Sequence, residues 1–258
     1  MGQLWMSELG RYPLWWSNQT WRALIGVIHP GGGQHHIADF HKINPKGVHM
    51  ISAGVPRHKD ESAEAMMHLD EHVVEAARLL APSKPDVIAW VCTAGSFMKG
   101  KGHDESLIKE MEEATHIPCT TTSTAVMAAF KHLGIKKLCM ATPYPLDVNE
   151  IEKKFLEDNG FEVLKCDGLD LVDAFGILIN VSPNVLYRLS KAIDVPEADG
   201  VFISCTGLDA MDIIEPLEQD LGKPVVTSNQ ASYWLAFKMA RMGEPIYGYG
   251  KLLSMPRY

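Results

Sequence analysis

The sequence lacks any uninterrupted apolar run near the roughly 18 residues that a membrane-spanning helix requires, so no membrane partner is expected. It also lacks a basic excess. Lys and Arg number 24 against 32 Asp and Glu, a formal net charge of −8 at pH 7. Phosphate binding needs a clustered basic surface, so nucleic acid is not expected as the main partner. Cysteines are few and odd in number, at Cys92, Cys119, Cys139, Cys166 and Cys205, and no two form a CxxC pair. Neither a disulfide framework nor a structural zinc site is expected. The first twenty residues have no positive start, no continuous apolar stretch and no small-residue cleavage site. No signal peptide is therefore read, and the cytoplasm is the expected compartment.

Nucleotide-binding loops are missing as well. HPGGGQHH, at His29 to His36, has neither the Lys-Ser/Thr of a Walker loop nor the third glycine of GxGxxG. His35, His36 and His41 could suggest a metal. Adjacent histidines point in different directions, however, and no HExxH pattern is present, so no metal site is expected. The segment is read as a glycine-rich loop bordering a cleft.

What is present is an ordinary globular composition, 46% hydrophobic and 22% charged over 258 residues. That length permits one large domain or two lobes of roughly 100–130 residues each. Residues 1–21, with Trp5, Trp15 and Trp16, read as an arm that packs against the body or a neighbouring subunit. The oligomeric state is left open. Strands are expected at Ala23 to Ile28, Val48 to Ser52, Val87 to Val91, Leu138 to Ala141, Glu162 to Lys165, Val201 to Ser204 and Pro224 to Thr227. Helical spacing of apolar residues predicts helices over Ser62 to Leu80, Asn149 to Asn159, Pro183 to Ile193 and Tyr233 to Met242. The charged segment Lys99 to Glu113 reads as a solvated helix face. Strand–helix alternation implies an α/β fold with parallel sheets covered by helices.

The two halves echo each other. DVIAWVCTAGSF is followed by IPCTTTSTAVMAAFK, and GVFISCTGLDA by KPVVTSNQASYWLAFK. Each copy is an apolar strand ending in Cys-Thr, a helix, a Pro-led strand ending in Thr-Ser, and a helix carrying Ala-Phe-Lys. Coincidence is one reading; two similar lobes, each presenting a cysteine at the carboxyl end of a strand, is the other. In open parallel sheets ligands bind there, and a helix starting after each cysteine would offer N–H groups to an anion.

Cys92 and Cys205 are the sharpest chemical signal. A cysteine beside such N–H groups can act as an acid or base near neutrality, and two on opposite faces of one carbon could remove and return a proton. The plainer alternative is a pair of inert core thiols. Cys119, Cys139 and Cys166 read as core. Thr93, Gly95, Ser96, Thr206 and Gly207 surround the pair and could hold a carboxylate or an enediolate, or simply form capped turns. Tyr144 could donate to the same oxygen, or be a half-buried aromatic at a sheet edge. Thr122, Ser123, Thr227, Ser228 and Asn229 could line the far side of the cleft.

At IGVIHP, CTAGSFMKG, TPYPLDVNE, SCTGLDAMD, PVVTSN and GYGKLL the sequence resembles the arylmalonate decarboxylase and maleate cis–trans isomerase branch of the aspartate/glutamate racemase superfamily, from about Ala23 to Leu252. The resemblance implies two Rossmann-like (flavodoxin-like) lobes, with parallel sheets related by pseudo-twofold symmetry and the active site in the cleft between them. It implies no cofactor and no metal, and chemistry through an enediolate or a cysteine adduct on a small carboxylate. By the resemblance, Cys205 matches the cysteine shared across the branch. Cys92 falls where isomerases and racemases keep a first cysteine and decarboxylases have glycine, and Thr93 and Tyr144 match oxyanion donors. Ala94 stands where decarboxylases carry Ser, which removes a hydroxyl from the anion pocket. Asp173-Ala174 falls where maleate isomerases carry Asp-Asn, which puts a substrate amide contact in doubt.

The expectation is a cofactor-independent isomerase or racemase using both cysteines, with Thr93, Ala94, Ser96, Tyr144, Thr206 and Gly207 around the substrate. The alternatives are a decarboxylase in which Cys205 alone protonates the enediolate, and a silent carboxylate-binding protein. The expected division is an arm at 1–21, a first lobe at 22–120 plus 235–258, and a second lobe at 121–234.

Overall fold

The computed structural model describes residues 22–32, 35–57, 62–173 and 180–256. The N-terminal arm, two residues of the glycine-rich loop and Ala174 lie outside them. The first half comprises β1 (Ala23–Pro30), α1 (His35–Ile43), β2 (Val48–Val55), the single turn α2 (Ala63–Met66), α3 (Val73–Leu80), β3 (Val87–Trp90), the single turn α4 (Ala94–Phe97), α5 (His103–Thr115), β4 (Cys119–Thr121) and α6 (Thr122–Leu133). The second half comprises β5 (Lys137–Thr142), α7 (Leu146–Asp158), β6 (Glu162–Gly168), α8 (Pro183–Ile193), β7 (Gly200–Ile203), α9 (Ile214–Leu221), β8 (Val225–Thr227), α10 (Ser228–Met239) and α11 (Lys251–Ser254).

All strand pairs are parallel. The first sheet runs β2-β1-β3-β4 and the second β6-β5-β7-β8, so the second repeats the order of the first. The central strands β3 and β7 are buried along their whole length. That burial follows from helices on both faces, and it explains their unbroken apolar sequence. The echo extends to the helix starts. Thr121 Oγ1 accepts from Thr124 N at 3.2 Å and Thr227 Oγ1 from Gln230 N at 3.1 Å, so in each half a strand-ending threonine is the N-cap of the next helix.

Those two helices cross over. Phe130 of α6 packs against Phe161 and Phe202 of the second half, with centroids 5.2 and 5.4 Å away. Tyr233 and Phe237 of α10 pack on Phe40 of α1, and the Tyr233 hydroxyl donates to the His36 carbonyl at 2.8 Å. Thr122 and Ser232 share a hydrogen bond of 2.9 Å where α6 meets α10. Each sheet is thus partly covered by a helix that follows the last strand of the other.

The predicted helix over Ser62 to Leu80 is broken. The chain turns inward after α2 because Asp70 accepts from Lys99 Nζ at 2.7 and 2.9 Å and pairs with His103 Nε2 at 2.5 Å. A tertiary ion pair here overrides helical spacing. The helix predicted from Asn149 starts earlier, at Leu146, directly after Pro145. The one predicted from Tyr233 starts at Ser228 and ends before Gly243. Among the described residues no helix is long and apolar enough to cross a membrane.

Candidate active site

The cleft is assembled from strand ends. Cys92 follows β3 and Cys205 follows β7, at equivalent places in the two sheets. Tyr144 follows β5, Pro30 ends β1 and Arg57 lies just beyond β2. Their side chains line one cavity. Cys92, Thr93, Ala94, Tyr144, Cys205, Thr206 and Gly207 are on its wall, joined by Pro30, His36, Arg57 and Leu69. The two sulfurs anticipated from the sequence therefore share one opening.

Each sulfur receives a backbone N–H, from Gly95 to Cys92 Sγ and from Gly207 to Cys205 Sγ, both at 3.3 Å. A thiolate accepts such a bond more strongly than a thiol. A Cβ on Gly95 would come within 2.7 Å of Trp90 and 3.1 Å of Cys92 Sγ, so only glycine brings that N–H so close. Cys205 has φ +98°, a region non-glycine residues avoid. Ser228 Oγ accepts from Cys205 N at 3.0 Å and from Thr93 Oγ1 at 2.9 Å. One hydroxyl at the start of α10 thus ties the two cysteine turns together, and Thr206 Oγ1 donates to Val91 O across the same junction.

Tyr144 stays protonated. Burial raises its pKa well above the ordinary phenol value, and the charges of Cys205 and Glu152 add to this, as does its hydrogen bond to Cys205. It is a phenol donor set against Cys205 and close to Cys92. Its turn is fixed by Asn149 Nδ2 donating to Tyr144 O and by Tyr144 N donating to Thr142 Oγ1, both at 3.1 Å. His36 is held neutral. Burial, then the charges of His29 and His35, lower its pKa to about 3, and its Nε2 is buried with no hydrogen-bond partner among the described residues. Burial raises Asp39 to about 6, opposed by Asn229 and Lys42. Asn229 Nδ2 bridges Asp39 Oδ2 and Thr206 O, which anchors α1 to the Cys205 turn.

Several expectations change. Ser96 is behind the cleft, with its hydroxyl bonded to Cys92 O, Thr93 O and Ser123 Oγ. Thr122, Ser123, Thr227, Ser228 and Asn229 are buried supports and not cleft wall. The helix expected directly after Cys205 is a turn, and α9 begins only at Ile214. Cys119 is buried, whereas Cys166 is only partly so, on the edge strand β6. Burial pushes both thiols up to about 12, which suits inert cysteines. No group of three His, Cys, Asp or Glu is gathered as metal ligands among the described residues. Arg57 and Leu69 carried no motif that would have marked them, whereas Pro30 and His36 belong to the HPGGGQHH segment read as bordering the cleft.

The family model for arylmalonate decarboxylase matches residues 25–253. The chain belongs to the arylmalonate decarboxylase family. An arylmalonate decarboxylase from Bordetella bronchiseptica is 34% identical over 233 residues, 89% of this chain and 96% of that protein. A maleate isomerase from Pseudomonas putida is 24% identical over 204 residues, covering 77% and 81%. Among solved structures, a liganded arylmalonate decarboxylase with a glycine-to-cysteine and a cysteine-to-serine exchange superposes with a TM-score of 0.84. It is 32% identical, and the match covers 90% of this chain and 98% of that one. These relatives place the chain among enzymes of the lyase and isomerase types of this arylmalonate decarboxylase family.

Proposed function

We propose that the protein is a cofactor-independent isomerase or racemase of a small dicarboxylate or α-substituted carboxylic acid, acting through Cys92 and Cys205. The observation that carries this reading is two cysteines on the wall of one cleft, each with a backbone N–H on its sulfur and with Tyr144 close to both. In a racemase form, one thiolate takes the α-proton, the electron pair moves into the carboxylate to give an enediolate, and the opposite S–H returns a proton to the other face. In a maleate-type form, the Cys92 thiolate adds to one alkene carbon, and the π pair moves through the other carbon into its carboxylate to give an enediolate. The former double bond rotates as a single bond, and return of the pair expels the thiolate and restores the alkene. Cys205 assists proton transfer. Thr93, whose hydroxyl turns from Ser228 to the substrate, Tyr144 and nearby backbone N–H groups hold the anionic oxygens. Ala94 and Gly207 are small enough to leave room for them. A reducing cytoplasm, which keeps both thiols from oxidation, suits this chemistry. The helix exchange supports two lobes, with α6 joining the second and α10 the first. The division into 22–120 with 235–258, and 121–234, agrees for α6, while its boundary at 234/235 falls inside α10, whose Tyr233 also packs on Phe40.

The greater identity to a decarboxylase favours a second reading, in which Cys205 alone protonates the enediolate left by loss of carbon dioxide. Proton NMR of small dicarboxylates and 2-aryl acids in deuterium oxide tests both. Isomerisation or α-exchange that disappears in both Cys92→Ala and Cys205→Ala, by at least about 1,000-fold, supports the two-cysteine reaction. Full isomerisation by Cys92→Ala rejects it. Carbon dioxide release that survives Cys92→Ala selects the decarboxylase.

A further inference from the structure

One buried titratable group is left unused by that reaction. Glu152, on α7, is 2% exposed. Its Oε1 accepts from Ser204 Oγ at 2.6 Å, while Oε2 is buried with no hydrogen-bond partner among the described residues. Glu152 forms no ion pair among the described residues. A carboxylate with a single hydrogen bond and no cation is poorly accommodated in such a place, whereas a carboxylic acid is tolerated. Burial accordingly raises its pKa to about 8, opposed only by the Ser204 bond.

Its position gives that proton a consequence. Ser204 directly precedes Cys205, the strained cysteine. Thr93 lines both the substrate cleft and a smaller cavity that Glu152 shares with Ser123 and Phe155. The titratable groups facing Glu152 are Tyr144 from the β5–α7 turn, Cys166 from β6 and, through Ser204, Cys205. A charge at Glu152 opposes a second negative charge on Tyr144 and on Cys166. From α4, α6 and β7 the cavity receives only Phe97, Ser123, Val126 and Phe202.

We propose that Glu152 is a positioning residue that works as an uncharged acid: protonated, it holds Ser204 and the Cys205 turn, and ionised, it sets a negative charge behind the oxyanion site and shuts the reaction down at alkaline pH. The inference rests on Cys205 and Tyr144 being the working groups. The sign follows from electrostatics. Above pH about 8 the carboxylate opposes both a Cys205 thiolate and the charge of an enediolate.

The test begins without substrate. Cys205 alkylation by iodoacetamide is followed by peptide mass spectrometry in the wild type and in Glu152→Gln. The variant should react roughly threefold or more faster at about pH 9, and within about twofold at about pH 6.5, where Glu152 is already neutral. An unchanged ratio at the two pH values overturns the proposal. Carbon-13 NMR of wild type labelled at glutamate carboxyls should show one carboxyl titrating near pH 8, and all of them titrating below about pH 6 would overturn it even if the variant failed to fold. With a turned-over substrate, the alkaline fall in kcat/KM should move up by about one pH unit in Glu152→Gln, and superimposable profiles would again overturn it. If no substrate is found, the alkylation and NMR arms still decide the matter.

Discussion

Cys205 combines a reactive side chain with a backbone conformation that L-residues resist, at φ +98°. Such a conformation persists only where its surroundings hold it; here Ser228 takes its N–H and Gly207 donates to its sulfur. Cys205→Gly should therefore be more stable than Cys205→Ala by about 1 kcal/mol, although both lack the thiol. Equal urea midpoints for the two would show that the turn carries no strain. Ser228 is a further single point of failure, because its hydroxyl accepts from both cysteine turns. Ser228→Ala leaves the Thr93 hydroxyl and the Cys205 amide without that acceptor. It should cost roughly 1–3 kcal/mol by equilibrium unfolding and lower turnover as well, and a variant with wild-type stability would contradict this. Tyr144 needs no such rescue, since burial alone keeps it a donor.

At the scale of elements, the break between α2 and α3 brings Leu69 to the cleft wall, and the Asp70–Lys99–His103 cluster secures it against the segment that follows Cys92. Burial opposes ionisation of Asp70, but bonds from His103 and Lys99 prevail and hold its pKa below the usual range. Its stabilisation is therefore complete above the unfolded carboxyl value near 4 and is lost as pH falls through the lower folded value. Asp70→Asn should lose roughly 1–3 kcal/mol at pH 7, and the difference from wild type should shrink as acid is added; a gap that does not change with pH would contradict the account. The same segment shows where the sequence stops being legible. Strands such as Val87–Trp90 and Gly200–Ile203 are readable because burial on both faces demands continuous apolar residues. Cys92, Thr93, Tyr144 and Cys205 are readable because each directly follows such a strand. Nothing local announces that Asp70 turns inward, that Arg57 borders the cleft, or that Glu152, one charge among several on α7, is the buried one. Those facts depend on contacts between residues far apart in the chain, which periodicity does not encode.

At the scale of the whole molecule, the exchange of α6 and α10 makes the two sheets a single cooperative body. Calorimetry should show one unfolding transition whose calorimetric and van't Hoff enthalpies agree; two separate transitions would contradict this. Phe130→Ala, which removes a fully buried ring contacting Phe161 and Phe202, should cost roughly 3–5 kcal/mol and lower the stability of both halves together.

The exchange also constrains how the protein can be made. When the ribosome has released the first four strands, the helix that covers them through Tyr233 and Phe237 has not yet been translated, and Phe130 has no Phe161 or Phe202 to receive it. The nascent amino-terminal half must wait with apolar surface open to water, or under a chaperone, until α10 has emerged.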